Sequence, residues 1–181
     1  MSIVLVGSTS GSITLQEPAV AGTTVLDLPA VSGTIVTTGS PQSGSVLQVV
    51  NATYSSASST TSTSYVDTGL SASITPQFST SKILVTVHQV GIGKANGGAG
   101  YRLALNLVRN STQLIQFELG AAYDGTSAVS IVGGSGTCYL DSPATTSSTT
   151  YKTQFKGFDG GTVYAQYDGC TSTITLMEIA A

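Results

Sequence analysis

One imidazole, two thiols and a few scattered carboxylates are the side chains from which this chain could assemble an active site. His88 stands inside the apolar run of residues 82–91 (KILVTVHQVG) with no acidic neighbour in sequence, so it is expected as a structural or symmetry-axis residue rather than a base. A nucleophilic triad would combine that imidazole with Cys138 or Cys170 and an orienting carboxylate, and the spacing of these residues suggests none. With one His and two distant Cys, the usual four-ligand zinc arrangements are ruled out, and neither metal nor cofactor is expected. The thiols are expected as small buried apolar groups, with a bridge forming outside the cell as the alternative.

Glycoside hydrolysis requires two carboxylates about 5 to 9.5 Å apart across a sugar, and Glu118, Asp124, Asp141, Asp159 and Asp168 could supply a pair. The chain has no Trp and no aromatic run to line a groove, so it is read as non-enzymatic. The segment GIGKANGGAG contains a Lys but not the Gly-Lys-Ser/Thr ending of a phosphate loop, and no helix signal follows it. Asn51-Ala52-Thr53 and Asn110-Ser111-Thr112 match a glycosylation sequon and are read as turn residues.

The elements that would carry these residues are strands. Gly, Ser, Thr and Val fill positions where a helix would use Ala, Leu, Glu and Lys, and no stretch of a dozen residues keeps a 3.6 period. Residues 82–91 read as a central strand covered on both faces, and Tyr101, Leu103, Leu105 and Leu107 as the buried face of a strand whose other face is wetter or at an edge. Asn110-Ser111 turns the chain into a hairpin partner at 113–119, and further strands are expected at 129–132, 136–140, 151–155, 162–167 and 173–179. Such spacing predicts an antiparallel sandwich or barrel. The last strand should be central, with Ile174 and Leu176 on one face and Met177 and Ile179 on the other.

The 181 residues are 40% hydrophobic and only 8% charged, with six Lys and Arg, 21 Gly and a net charge of −3. That composition provides a core but no basic surface, so nucleic acid is an unexpected partner. So little charge is unusual for a dispersed monomer, and burial against other subunits would explain it. Residues 18–23 (PAVAGT) return as 29–34 (PAVSGT). A unit of this size cannot bury its own apolar side; three copies about a threefold axis would provide the partners, and a β-hairpin packed on the main domain is the alternative. MSIVLV is too short for a membrane span and lacks the basic start of a signal peptide, so synthesis in the cytoplasm and no membrane insertion are expected. Residues 39–44 (GSPQSG) have linker composition, which divides the chain into 1–40, a linker at 41–45 and 46–181. The Ser/Thr stretch 53–64 fits an exposed loop or a polar edge strand, and the loop is favoured.

GSITLQEPAVAGTTVLDLPAVSGTIVTTG looks like a segment near the start of tail-fibre and other virion proteins of phages, particularly those of cyanobacteria and marine bacteria. The run from Thr137-Cys138-Tyr139-Leu140-Asp141-Ser142-Pro143 onward and the closing ITLMEIAA are similar to distal domains of such fibres. The order DTGLSASITPQFSTSKILVTV, LALNLVRNSTQL and a last strand at the end resembles the trimeric jelly roll of complement-type and tumour-necrosis-factor-type domains. The resemblance implies an all-β chain: a short N-terminal β-repeat or prism stem followed by a trimeric antiparallel jelly-roll sandwich. It implies a structural virion protein in an external appendage, a tail fibre adsorbing to the host surface by multivalent binding. Its partners would be two further copies, a virion protein at the N-terminal segment, and a host glycan or protein. A capsid decoration is the alternative, and a polysaccharide-degrading tail spike the second. For receptor contact the loops at 94–100, 123–126, 158–161 and 167–171 are singled out, with Tyr123, Asp124, Phe158, Tyr167 and Asp168 as the candidate residues.

Overall fold

The computed structural model describes residues 3–6, 9–15, 30, 37–95, 102–122, 130–131 and 133–181. The chain forms two compact units, Met1–Ile35 and Val36–Ala181. In the first, β1 (Ile3–Val6) and β2 (Ser12–Leu15) pair antiparallel, Ile3 opposite Leu15 and Val6 opposite Ser12. The repeat at 18–34 lies, Ala30 apart, outside the described residues.

The second unit is built from β3 (Val46–Tyr54), β4 (Ser58–Thr60), β5 (Val66–Ile74), β6 (Lys82–Val90), β7 (Gly93–Lys94), β8 (Leu103–Arg109), β9 (Thr112–Ala121), β10 (Ser130–Ile131), β11 (Gly134–Asp141), β12 (Thr149–Gly157), β13 (Val163–Ala165) and β14 (Ser172–Ile179). Eight of these form two four-stranded antiparallel sheets, β11-β6-β14-β3 and β5-β12-β8-β9, and the four shortest form a third, β10-β7-β13-β4. The first and last long strands pair with each other, β8 and β9 form a hairpin within one sheet, and every other step between successive long strands, β3 to β5, β5 to β6, β6 to β8, β9 to β11, β11 to β12 and β12 to β14, crosses between the sheets. That strand order is the antiparallel jelly-roll sandwich expected from the sequence.

Alternation builds the interior. On β14, Ser172, Ile174, Leu176 and Glu178 are buried while Thr173, Thr175, Met177 and Ile179 are half-buried on the other face, and the strand is central, between β6 and β3. Leu70, Ile74, Ile83, Val85, Val87, Leu107, Tyr151, Ile174 and Leu176 make the larger apolar cluster. Ile92, Leu103, Leu105, Phe155 and Val163 make a second.

A buried polar chain lies between the two clusters. The Thr153 hydroxyl donates to Gln89 Oε1 at 2.8 Å and is 2.5 Å from the Thr68 hydroxyl; Gln89 and Gln166 each donate to the Ser172 hydroxyl, at 3.0 and 3.1 Å. Thr68 and Thr153 belong to one sheet and Gln89 and Ser172 to the other, so these bonds tie the sheets at a fixed register. At the far side of the larger cluster, Asp141 on β11 accepts two bonds from Arg109 Nη1 on β8, at 2.9 and 2.8 Å, and one from Tyr151 Oη on β12, at 2.7 Å. Burial and the neighbouring Asp141 carboxylate push the Tyr151 phenol far above its ordinary pKa.

Gly69 shows a local requirement. β5 and β12 slip register where residues 68–70 face Thr153, and Gly69 bends there with φ of 96°, while the Tyr54 ring occupies the space a Cβ would need.

Several sequence expectations are corrected. β6 is central but covered on one face only: Lys82, Thr86 and His88 are exposed and Leu84 half-buried. β8 is the reverse, with Ala104, Asn106 and Val108 buried as well as Leu103, Leu105 and Leu107. In register, Ala104 stands between Lys156 and Leu119, Asn106 between Gln154 and Gln116, and Val108 between Lys152 and Gln113, so long side chains cover the short ones. The Ser/Thr stretch is not one loop: it holds the end of β3 and all of β4, a polar edge strand that pairs with β13, so the alternative reading holds for Ser58–Thr60. The strand expected at 162–167 ends at Ala165, and Tyr167–Gly169 is a 3-10 turn. Asn51 lies within β3 rather than in a turn, whereas Asn110, with φ of 52°, does turn the chain.

Candidate functional site

The residues with catalytic chemistry are dispersed. His88 projects from the outer face of β6, opposite Gly136 on one side and Thr173 on the other. Cys138 and Cys170 are both exposed and unbridged, not buried: Cys138 falls on an outward position of β11, and Cys170 follows the 3-10 turn. Of the five carboxylates, Asp141 is held by Arg109 and Tyr151, Glu118 Oε1 accepts its neighbour's N–H from Leu119 at 3.0 Å, and Asp159 and Asp168 are exposed. Asp124 lies outside the described residues. Among the described residues no group of three His, Cys, Asp or Glu side chains converges as a metal site would require, and no helix is long and apolar enough to cross a membrane.

Of the receptor-contact candidates, Tyr123 and Asp124 lie outside the described residues. Phe158 is half-buried, with the Arg102 guanidinium carbon 4.7 Å and Lys156 Nζ 5.1 Å from its ring centroid. Tyr167 packs edge-on against Tyr164, ring centroids 5.0 Å apart. Asp168 is exposed in the turn at φ of 54°. Lys94, placed by the sequence in a tip loop, is fully buried in β7.

Two broad surfaces remain, the outer faces of the sandwich. On the β11-β6-β14-β3 sheet, register aligns Leu140, Leu84, Met177 and Val49 into one row across all four strands. Leu140 is 50% and Val49 56% exposed, and Val46 and Ile179 extend the row at one edge. The next rows are Cys138, Thr86, Thr175 and Asn51, then Gly136, His88, Thr173 and Thr53. Across this face Lys82 stands at one end and His88 in the last of these rows, with no carboxylate in the rows. Glu178, on β14, points inward, where burial raises its pKa but hydrogen bonds from Gln48 Nε2 and the N–H groups of Gln77 and Phe78 outweigh that and hold it below the usual carboxylate range.

The β5-β12-β8-β9 face is polar. Asp67 takes Lys152 Nζ at 2.8 Å and Gln154 Nε2 at 2.7 Å; partial burial opposes its ionisation, and these two partners lower its pKa overall. At one end of the face stand Tyr65, Lys156, Phe158 and Arg102, with Tyr65 Oη donating to Gln116 Oε1 at 2.8 Å and its pKa raised by burial.

Sequence reasoning passed over the apolar row and the cation–ring cluster because each collects residues from three or four strands. Alternation does mark Leu140, Met177 and Val49 as outward once the opposite parity is assigned to the core. No family model matches this chain, and no curated protein is similar to it.

Proposed function

We propose that this chain is a structural virion protein of a bacteriophage, a homotrimeric tail fibre or like appendage that takes part in host-surface adsorption by multivalent binding. The observation that carries the reading is the outer face of the β11-β6-β14-β3 sheet, where Leu140, Leu84, Met177 and Val49 form an apolar band with almost no charge around it. A stable monomer gains nothing from such a band. Packed against two copies of itself it would be buried, each exposed Val or Leu contributing roughly 1 kcal/mol from the half of its surface still in water. The same packing accounts for a chain with 8% charged residues.

In this reading residues 1–40 join the virion and the jelly roll carries the receptor contacts. Weak contacts repeated by three subunits and by many fibres then hold firmly without a strong single site. The likeness of GSITLQEPAVAGTTVLDLPAVSGTIVTTG to phage virion segments supports this placement.

Light scattering of the purified chain should give three times the chain mass, and a monomer at micromolar concentration overturns the trimer. Immunogold labelling of the particle should mark the tail. Label over the capsid would make the chain a shell decoration instead.

A further inference from the structure

His88 is the chain's one imidazole. It stands exposed on the outer face of the β11-β6-β14-β3 sheet, in the row Gly136, His88, Thr173 and Thr53, two rows along from Leu84. Its ring lies over the neighbouring strand: Nε2 is 3.4 Å from the point a Cβ on Gly134 would take, and Cδ2 is 3.9 Å from that point on Gly136. Two residues without side chains leave β11 bare beneath the ring, so His88 adds little height to the face.

Four strands about 4.8 Å apart, followed from Lys82 to His88, make this face roughly 19 Å by 20 Å, about 400 Å² in plan. A stable interface takes about 800 Å² from each partner. The strands stop one row beyond the apolar band, where β6 begins at Lys82, β14 ends at Ile179 and β3 begins at Val46, so along the sheet contact grows only toward His88. Packing that covers the band and reaches a stable size takes in the His88 row. No opposite charge waits there. On β6 the other outward ionisable group is Lys82; β11 presents Cys138 outward and turns Tyr139 and Asp141 inward, the latter to Arg109; β14 turns Glu178 inward, and β3 carries only Tyr54, on its inward parity. Asp168 and Cys170, in the turn before β14, are exposed, and no described carboxylate forms an ion pair with His88.

We propose that His88 makes the assembly of this chain sensitive to acid: copies pack through this face while the imidazole is neutral and separate when it is protonated. This switch acts on the assembly face of the adsorption reading and rests on that reading. A covered imidazolium would lose water and gain no carboxylate, so separated chains bind the proton and the assembly excludes it. On the acid side each excluded proton weakens association by up to about tenfold per pH unit, and three per trimer multiply to about a thousandfold. Between about pH 5.5 and 7, no other side-chain type in the chain ordinarily changes charge. Glu178 and Asp67, whose carboxyls are held below the usual range, stay ionised throughout that window.

The test is light scattering of the full chain at about tenfold above the concentration where it half-dissociates at about pH 7.5. The mass should fall from three chains toward one by about pH 5.5 and recover when the sample is returned to neutral pH. His88→Gln, uncharged at both values, should remain a trimer at both. A second measurement uses the wild-type ring itself: a single imidazole gives one set of ring NMR signals, which should move at least about one pH unit lower in the assembled chain than in Val49→Lys, whose added charge splits the assembly. That comparison decides alone if His88→Gln does not assemble. A wild-type mass that stays at three chains in acid, an equal acid loss in His88→Gln, or ring signals that move at the same pH in both chains would each overturn the switch and leave the trimer standing. A wild-type chain that is monomeric at neutral pH overturns the assembly reading, and the switch with it.

Discussion

The two outer faces of the sandwich are built from strands of similar length and the same alternation, yet one ends in a row of apolar side chains and the other in a salt bridge, amides and cation–ring contacts. Exposure of a single apolar residue does not distinguish them. Leu119, on the polar face, is 62% exposed, more than Val49 at 56% or Leu140 at 50%. What differs is company: Leu119 lies in register with Ala104 and beyond it Lys156, whereas Val49 and Leu140 bracket Met177 and Leu84. A lone exposed Leu is ordinary surface; four aligned side chains make an area that water solvates poorly. In the proposed function the apolar face is the one that assembly would bury.

The largest expected effect lies between the faces. Asp141→Ala strands the Arg109 guanidinium and the Tyr151 hydroxyl against the core and should cost about 3 to 5 kcal/mol in denaturant unfolding. Thr153→Val leaves Gln89 Oε1 unsatisfied in the polar chain between the sheets and should cost about 1 to 3 kcal/mol. If either variant lost assembly while keeping full stability, the division between interior and faces would fail.

On the faces themselves, Val49→Lys should reduce the scattering mass of the proposed trimer to that of one chain, because it would place three ammonium groups in the band that trimer packing covers, while leaving monomer stability within about 0.5 kcal/mol. Leu119→Lys, at the more exposed position, should leave the mass unchanged. Equal behaviour of the two variants would break the comparison.

The thiols sharpen it. Cys138 lies on the apolar face's second row and Cys170 beside the 3-10 turn, so in the assembled protein Cys170 should alkylate at least about tenfold faster, and the difference should shrink in Val49→Lys. Similar rates in the wild type would mean that the face is open. The smallest effect concerns acid. Glu178 and Asp67 have lowered folded-state pKa values, so the stability each contributes is present above its unfolded pKa and lost as pH falls through the folded one. The acid limb of a stability–pH profile should therefore begin below pH 4.5 and become shallower in Glu178→Gln. An unchanged limb would remove Glu178 from that account.

Strand content was legible because alternation is a local property. Residues 173–179 name their own buried face, and the structure agrees at Ile174, Leu176, Met177 and Ile179. The hairpin at Asn110-Ser111 was legible for the same reason, since a turn needs only its own residues. β3 and β5 were harder to isolate: their Ser, Thr, Gly and Asn positions resemble linker composition, and they become strands through pairing with β14 and β12. Phe158 was singled out as a lone ring; its partnership with Arg102 and Lys156 was not visible.

The sequence by itself determined the all-β class, the two faces of the closing strand β14 and the shortage of charge, because side-chain period and composition do not depend on which strands are neighbours. Only the tertiary structure decided which outward residues share a row. Register between β11, β6, β14 and β3 sets Leu140 beside Leu84, Met177 and Val49, and register between β5, β12 and β8 gathers Tyr65, Lys156, Phe158 and Arg102. These residues are far apart in sequence, and the pairing that joins them is selected by burial of the opposite face and by the buried bonds among Thr68, Thr153, Gln89 and Ser172. A surface here is a consequence of how the interior closes, which no single strand encodes.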